Sequence, residues 1–242
     1  MIWLLACAQT DVPVQAAPTP VEPAPIQVVE EVAPTPPDVP EGWLEHWLPW
    51  DTQREELTVA YLEQHHGTPL PEPLDTGHMV PALIVLHWTA GNTVDGAWNT
   101  FAPTLLRGRP NIAKHSQLNV SSHFIVAQDG TVHRTVPPDV VARHVIGLNH
   151  VAVGVENVGG PQLPLTDAQV AANVDIVRWV VATHPTVTHL IGHHEYRELE
   201  GTPLFRETDD SYRTTKPDPG DDFMGRVRDQ VADLELKGPP EG

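Results

Sequence analysis

The chain has 242 residues, with 14 Lys and Arg against 32 Asp and Glu, for a formal net charge of −18. That length holds one domain of ordinary size plus an appendage. The charge excludes a nucleic-acid backbone or a bare anionic membrane surface as partner, because no basic patch exists to release counterions. A single cysteine, Cys7, excludes intramolecular disulfides and thiolate metal clusters, while 14 histidines point toward imidazole chemistry.

Residues 1–7 are apolar and end in Cys7. They are too short to span a bilayer, which needs about 20 apolar residues. Leu4-Leu5-Ala6-Cys7 resembles the lipobox of a bacterial lipoprotein signal, shortened at its start, in which the cysteine carries the lipid. Residues 8–41 hold nine prolines, and residues 1–53 contain no Lys or Arg. Such a segment buries too little apolar surface to fold. It is expected to be an extended acidic spacer of roughly 3 Å per residue, reaching up to about 100 Å. An exported chain follows, touching a membrane only through a lipid on Cys7, with its folded domain at 42–237.

Gly42 to Trp50 is aromatic and is expected to pack back on that domain. Thr52 to Glu55 has capping-box spacing and opens a helix to about His66, ended by Gly67. Leu83 to Leu86 is a continuous branched run, the pattern of a strand buried on both faces. It ends in His87, which reads as either a core histidine or a group exposed at the sheet's edge. A helix is expected over Asn92 to Arg107, with Trp98, Phe101 and Leu105 on one side. Arg107 to Leu118 is loop-like. Asp129-Gly130 between two strand-like runs predicts a hairpin with a two-residue turn.

Val151 to Val158 alternates with a period of two. Val151, Val153 and Val155 share one face. Ala152, Gly154 and Glu156 share the other, so small residues clear a space that Glu156 borders. Thr166 to Gln169 is a second capping box, followed by an apolar stripe of Val170, Val174, Val177 and Val181. His189 to Gly192 is a short strand ending at His193 and His194. Residues 221–236 form a terminal amphipathic helix with Phe223, Val227, Val231 and Leu234 inward. Strands interleaved with helices, plus one hairpin, give an α/β domain with a mixed central sheet flanked by helices.

His87 and His193 end two strands, and Asp218 lies between Pro217 and Pro219 in a loop before the last helix. A catalytic zinc takes three protein ligands and keeps one position open for water. These two histidines and one carboxylate supply that set. His194-Glu195-Tyr196-Arg197-Glu198 approaches the zincin helix motif but ends in Glu and follows a strand, so it is set aside.

The chain resembles the zinc-dependent N-acetylmuramoyl-L-alanine amidases of the type-2 class, relatives of the peptidoglycan recognition proteins. The motifs are Ile84 to Ala90 around His87, Ser121-Ser122-His123-Phe124 leading to Asp129-Gly130-Thr131, Ala142-Arg143-His144, Asn149 through Glu156-Asn157, Ile191-Gly192-His193, and Lys216 to Gly220. They occur in the family's order over residues 57–228. The resemblance implies one zinc ion held by His87, His193 and Asp218. It also implies a catalytic carboxylate at Glu156 assisted by Lys216, and peptidoglycan as substrate and partner. Arg143, His144, His123 and Asn149 are candidates for contacts to the substrate, His123 standing either in the site wall or in the structure beneath it. Relatives with a Tyr where Ser122 stands form another branch, and the carboxylate branch uses Glu instead. The spacing of 23 positions from His193 to Lys216 exceeds the family's core spacing, so the 196–215 region is expected to loop out. The alternative is a catalytically silent peptidoglycan-binding module on the same fold.

Overall fold

The computed structural model describes residues 37–240. The signal-like piece at 1–7 and nearly all of the Pro-rich segment 8–41 lie outside the described residues. In chain order the elements are β1 (Leu44–Glu45), α1 (Thr52–His66), β2 (Leu83–Trp88), α2 (Val94–Phe101), α3 (Pro110–Ala113), β3 (Phe124–Val126), β4 (Val132–Arg134), β5 (Ala152–Asn157), α4 (Asp167–Thr183), β6 (His189–Gly192) and α5 (Asp221–Gln230). Short 3₁₀ turns cover Leu74–Thr76, His193–Leu199 and Ala232–Leu234. Among the described residues no helix is long and apolar enough to cross a membrane.

One six-stranded sheet organises the domain, in the order β1-β4-β3-β5-β2-β6. Only the β3–β4 pair is antiparallel, so the sheet is mixed, as the sequence pattern implies. Leu83, Ile84, Val85 and Leu86 are completely buried in its middle. Burying each such side chain contributes about 1.5–3 kcal/mol, which makes β2 a stiff support for whatever ends it. Asn157, the last residue of β5, exchanges hydrogen bonds with Asn173 of α4. Helix α4 therefore covers the face of β5 opposite to Glu156, because successive strand residues alternate. Ile176, Val177 and Val180 of α4 and Phe223, Met224 and Val227 of α5 are buried there.

Several element boundaries differ from the sequence pattern for physical reasons. The α1 cap is Asp51, one residue earlier than expected, accepting from the Arg54 amide at 2.8 Å. Helix α2 stops at Phe101 instead of running to Arg107. Pro103 cannot continue it, and the buried guanidinium of Arg54 donates to the Phe101, Ala102 and Pro103 carbonyls, satisfying that end. Leu105 thus leaves the helix and is exposed. The 107–118 stretch contains the short α3. The hairpin connection has three residues, not two: Ala127 bonds Thr131, and Gly130 takes φ 88°. In α4 the capping box of Thr166 and Gln169 forms as expected. Of its expected stripe, Val170 and Val177 are buried, while Val174 and Val181 are half-buried against the core. Helix α5 ends at Gln230, before the expected Leu236. The aromatic entry segment does pack back: β1 pairs with β4, and Trp43 meets Phe124 and Trp179 edge-on at 5.7 and 5.5 Å.

Candidate metal centre and active-site groove

The carboxyl ends of parallel strands in an open sheet form a natural crevice, and four of the candidate residues meet there. His87 is next to last in β2 and lies opposite Glu156 of β5 in register, so both side chains rise from the same face. His193 follows β6 directly and opens a 3₁₀ turn. Asp218 is brought over by the loop before α5. The His194 amide donates to the Asp218 carbonyl at 2.8 Å, and His194 Nδ1 lies 3.0 Å from the same oxygen. His194 therefore holds the loop, and His193 faces the crevice.

His87, His193 and Asp218 are all buried and place one ligand atom each within 4.8 Å of one another. His87 Nδ1 lies 2.8 Å from His193 Nδ1, His193 Nδ1 lies 3.0 Å from Asp218 Oδ2, and His87 Nδ1 lies 3.4 Å from the same oxygen. Ligand atoms about 2.0–2.1 Å from a tetrahedral zinc stand about 3.3 Å apart, close to those three edges. Burial, with the neighbouring His87, pushes His193 down to about 3. Burial also pushes His87 down, against the hydrogen bond and charge of Asp218. Burial pushes Asp218 up, but its hydrogen bonds with His193 and His87 outweigh this and leave it well below the usual carboxylate range. The set is thus two neutral imidazoles and one anion with converging lone pairs, which fits a small divalent cation.

Glu156 stands beside this triangle. Its Oε2 is buried without a hydrogen-bond partner. Burial pushes its pKa up to about 8, helped by the charge of Asp218 and opposed by Arg109 and Lys216. Lys216 borders the same space and pairs with no carboxylate among the described residues. His193 and Asp218 of the triangle, with Glu156, line an open groove of about 680 Å³, whose walls include Trp88, Arg109, Ile112, Gln162, Tyr212 and Lys216.

Residues 77–221, more than half of the chain, match the type-2 amidase family described as N-acetylmuramoyl-L-alanine amidase. The chain belongs to that family. It is similar to an endolysin of Enterobacteria phage K11, 34% identical over 84 residues, which are 32% of this chain and 55% of that protein. It is also similar to an endolysin of Klebsiella phage KP32, 43% identical over 61 residues, covering 23% of this chain and 40% of that protein. The chain thus spans about half the length of these curated relatives. Among solved structures, the N-acetylmuramoyl-L-alanine amidase LysC from Clostridium intestinale matches with a TM-score of 0.50 at 18% identity. That match covers 82% of this chain and all of LysC, and it shows the shared amidase fold.

The four candidate substrate residues lie in the groove wall and beneath it. Arg143, His144 and Asn149 border the groove, and apart from the unpartnered Arg143 Nε their polar side-chain atoms bond within the protein. The Arg143 guanidinium is buried and donates to the carbonyls of Ser116, Leu118 and Ile112 and to the Tyr212 hydroxyl. Asn149 Oδ1 accepts from the His144 and Val145 amides, both at 2.8 Å, while its Nδ2 donates to the Tyr61 hydroxyl. His123 is fully buried, with Nε2 2.9 Å from the Val140 carbonyl and Nδ1 accepting from the Gly154 amide. It lies in the structure beneath the site. His144 stands behind His87, with its Nδ1 3.0 Å from His87 Nε2. The space expected above Gly154 is filled by the His144 ring, since a Cβ on Gly154 would meet that ring at 2.8 Å.

The long 196–215 connection folds back on the domain. The Tyr196 hydroxyl donates to the Thr214 carbonyl and accepts from the Thr214 amide. The Arg206 amide donates to the Gly147 carbonyl, and Glu207 meets His65 at 2.8 Å. Tyr212 and Thr214 then form part of the groove wall. Arg109 is the groove residue that sequence reasoning missed. It sits in a turn at φ 48°, and its charge is felt at Glu156. Its one visible signal is a basic Arg107-Gly108-Arg109-Pro110 turn in an acidic chain.

Proposed function

We propose that the chain is a zinc-dependent amidase that hydrolyses the bond between the lactyl group of N-acetylmuramic acid and L-alanine in peptidoglycan. The observation that carries this reading is the convergence of His87 Nδ1, His193 Nδ1 and Asp218 Oδ2 within 4.8 Å, at a groove that His193 and Asp218 line. Family membership supplies the substrate class. Those three atoms hold one zinc ion. When bound, the ion lowers the pKa of a water to about 7 and polarises the scissile carbonyl.

The chain's own groups do the rest. Glu156 Oε2, which has no protein partner, takes the proton of the attacking water and delivers it to the departing amine of L-alanine. Arg109 and Lys216 pull Glu156 downward against its burial, toward the range in which a base works near neutral pH. The Lys216 ammonium stabilises the negative charge that forms on the attacked oxygen. The groove wall, which includes Tyr212 and Ile112, positions the glycopeptide over these groups.

A catalytically silent binding module on this fold has no use for a buried, unpaired carboxylate beside three converging ligands. Retention of Glu156 with the whole ligand set favours the enzyme. Cys7 and the spacer 8–41 fit an exported protein whose amidase domain, 42–237, works on the wall at a distance from its attachment.

The test uses purified sacculi. The full chain is expected to solubilise them, to stop after chelation, and to recover when zinc is added back. Full activity in excess chelator would contradict the metal assignment.

A further inference from the structure

His87 and the His144 ring behind it form a directed chain of hydrogen bonds that ends in the metal triangle. His144 Nε2 lies 3.0 Å from the Ala152 carbonyl, which only accepts. That nitrogen therefore carries a proton. A second proton on His144 would place a charge between two buried imidazoles, His87 and His123, whose ring centroids lie 5.1 and 5.7 Å away, with no carboxylate bonded to the His144 ring among the described residues. His144 Nδ1 is then a lone pair. It lies 3.0 Å from His87 Nε2, which must donate to it. The remaining nitrogen of His87, Nδ1, is left unprotonated and aimed at His193 and Asp218.

We propose that His144 is a positioning residue that fixes His87 in the tautomer whose Nδ1 lone pair faces His193 and Asp218. This rests on the metal-binding reading above for its consequence, though the tautomer itself is a property of the chain alone. The seat of His144 is built for the purpose. Gly154 lacks the side chain that would displace its ring. The amides of His144 and Val145 are both clamped by Asn149 Oδ1, which fixes the turn that presents the ring. His123 anchors the strand below through the Gly154 amide at 2.8 Å. A metal-bound histidine usually gives its other N–H to a carboxylate, carbonyl or water. Here the acceptor is a second imidazole, whose own orientation is set by the Ala152 carbonyl.

The test compares the full chain with His144→Phe and His144→Asn. Phenylalanine keeps a ring over Gly154 but offers no acceptor. Asparagine places an amide oxygen close to the position of Nδ1. Zinc affinity is measured by competition with a chelator, and the protonation of His87 is read from its imidazole ¹⁵N shifts in the zinc-free chain. The expected result is His87 protonated on Nε2 in wild type, a loss of zinc affinity of about 10–100-fold in His144→Phe, and partial recovery in His144→Asn. Wild-type zinc affinity in a folded His144→Phe, or a wild-type His87 protonated on Nδ1, would overturn the proposal. If wild type binds no zinc at all, the functional reading fails, and the ¹⁵N shifts still decide the tautomer. If His144→Phe does not fold, His144→Asn and the wild-type shifts carry the decision.

Discussion

Glu156 stands directly across the β2–β5 ladder from His87, paired with it in parallel register. A candidate base and a candidate zinc ligand are thereby fixed side by side on one face of the sheet by backbone hydrogen bonds, not by a flexible loop. Glu156→Gln keeps the shape and removes the base. Its turnover on peptidoglycan is expected to fall about 10²–10⁴-fold with one zinc per chain retained, as measured by metal analysis and turbidity assays. Wild-type turnover in that variant would place the base elsewhere.

The same carboxyl gives a pH signature to the zinc-free chain. Its ordinary value is 4.5 and its folded value is about 8, so the folded chain holds this proton more tightly than the unfolded one. Its contribution to stability is therefore greatest below about 4.5 and is lost as pH rises through about 8. Zinc-free Glu156→Gln lacks this loss. Its Tm is expected to match wild type near pH 4.5 and to exceed it at pH 8. Identical pH slopes for the two chains would contradict the buried state of Glu156.

Lys216 is separated from the ligands in role. Lys216→Ala is expected to retain stoichiometric zinc and to lose about 10²–10³ in kcat. His87→Ala and Asp218→Ala are expected to lose the zinc itself. Metal content alongside kcat for the three variants distinguishes these outcomes, and zinc loss in Lys216→Ala would show that its role is to hold the site together.

Arg143 is expected to behave as structure. Arg143→Leu strands three carbonyls and the Tyr212 hydroxyl, at a cost of about 3 kcal/mol or more in denaturant unfolding. Below the melting transition its KM for muropeptides is expected to stay within a few-fold of wild type. A large KM change in a stable Arg143→Leu would return this residue to the substrate.

Gly154→Ala tests how the site is seated. The added methyl would meet the His144 ring at 2.8 Å, and the shift that relieves it is expected to cost about 1–3 kcal/mol and to weaken zinc binding. Unchanged stability and zinc affinity would mean that the ring can move freely.

The parts of the fold legible in the sequence were those with strong local periodicity. The buried run 83–86, the alternation at 151–157 and the Thr166 capping box all depend on neighbours in sequence. The end of α2 was less legible because it depends on a distant group: Arg54 closes α2 from 47 residues away. The ligand atoms of His87, His193 and Asp218 converge as the motif order implied. The roles of Arg143, Asn149 and His123 could not be read, because a buried arginine or asparagine that clamps carbonyls and amides looks the same in sequence as one that reaches a substrate. That the His144 ring fills the space left by Gly154 was likewise invisible, since nothing in the sequence shows the two residues to be in contact.

The account stands most directly on the mass of the products released from purified sacculi by the full zinc-loaded chain. It predicts intact glycan fragments bearing a free lactyl carboxylate, together with stem peptides that begin at a free L-alanine amine. Peptides cut at any other bond, or glycan chains cleaved between sugars with their peptides still attached, would contradict it.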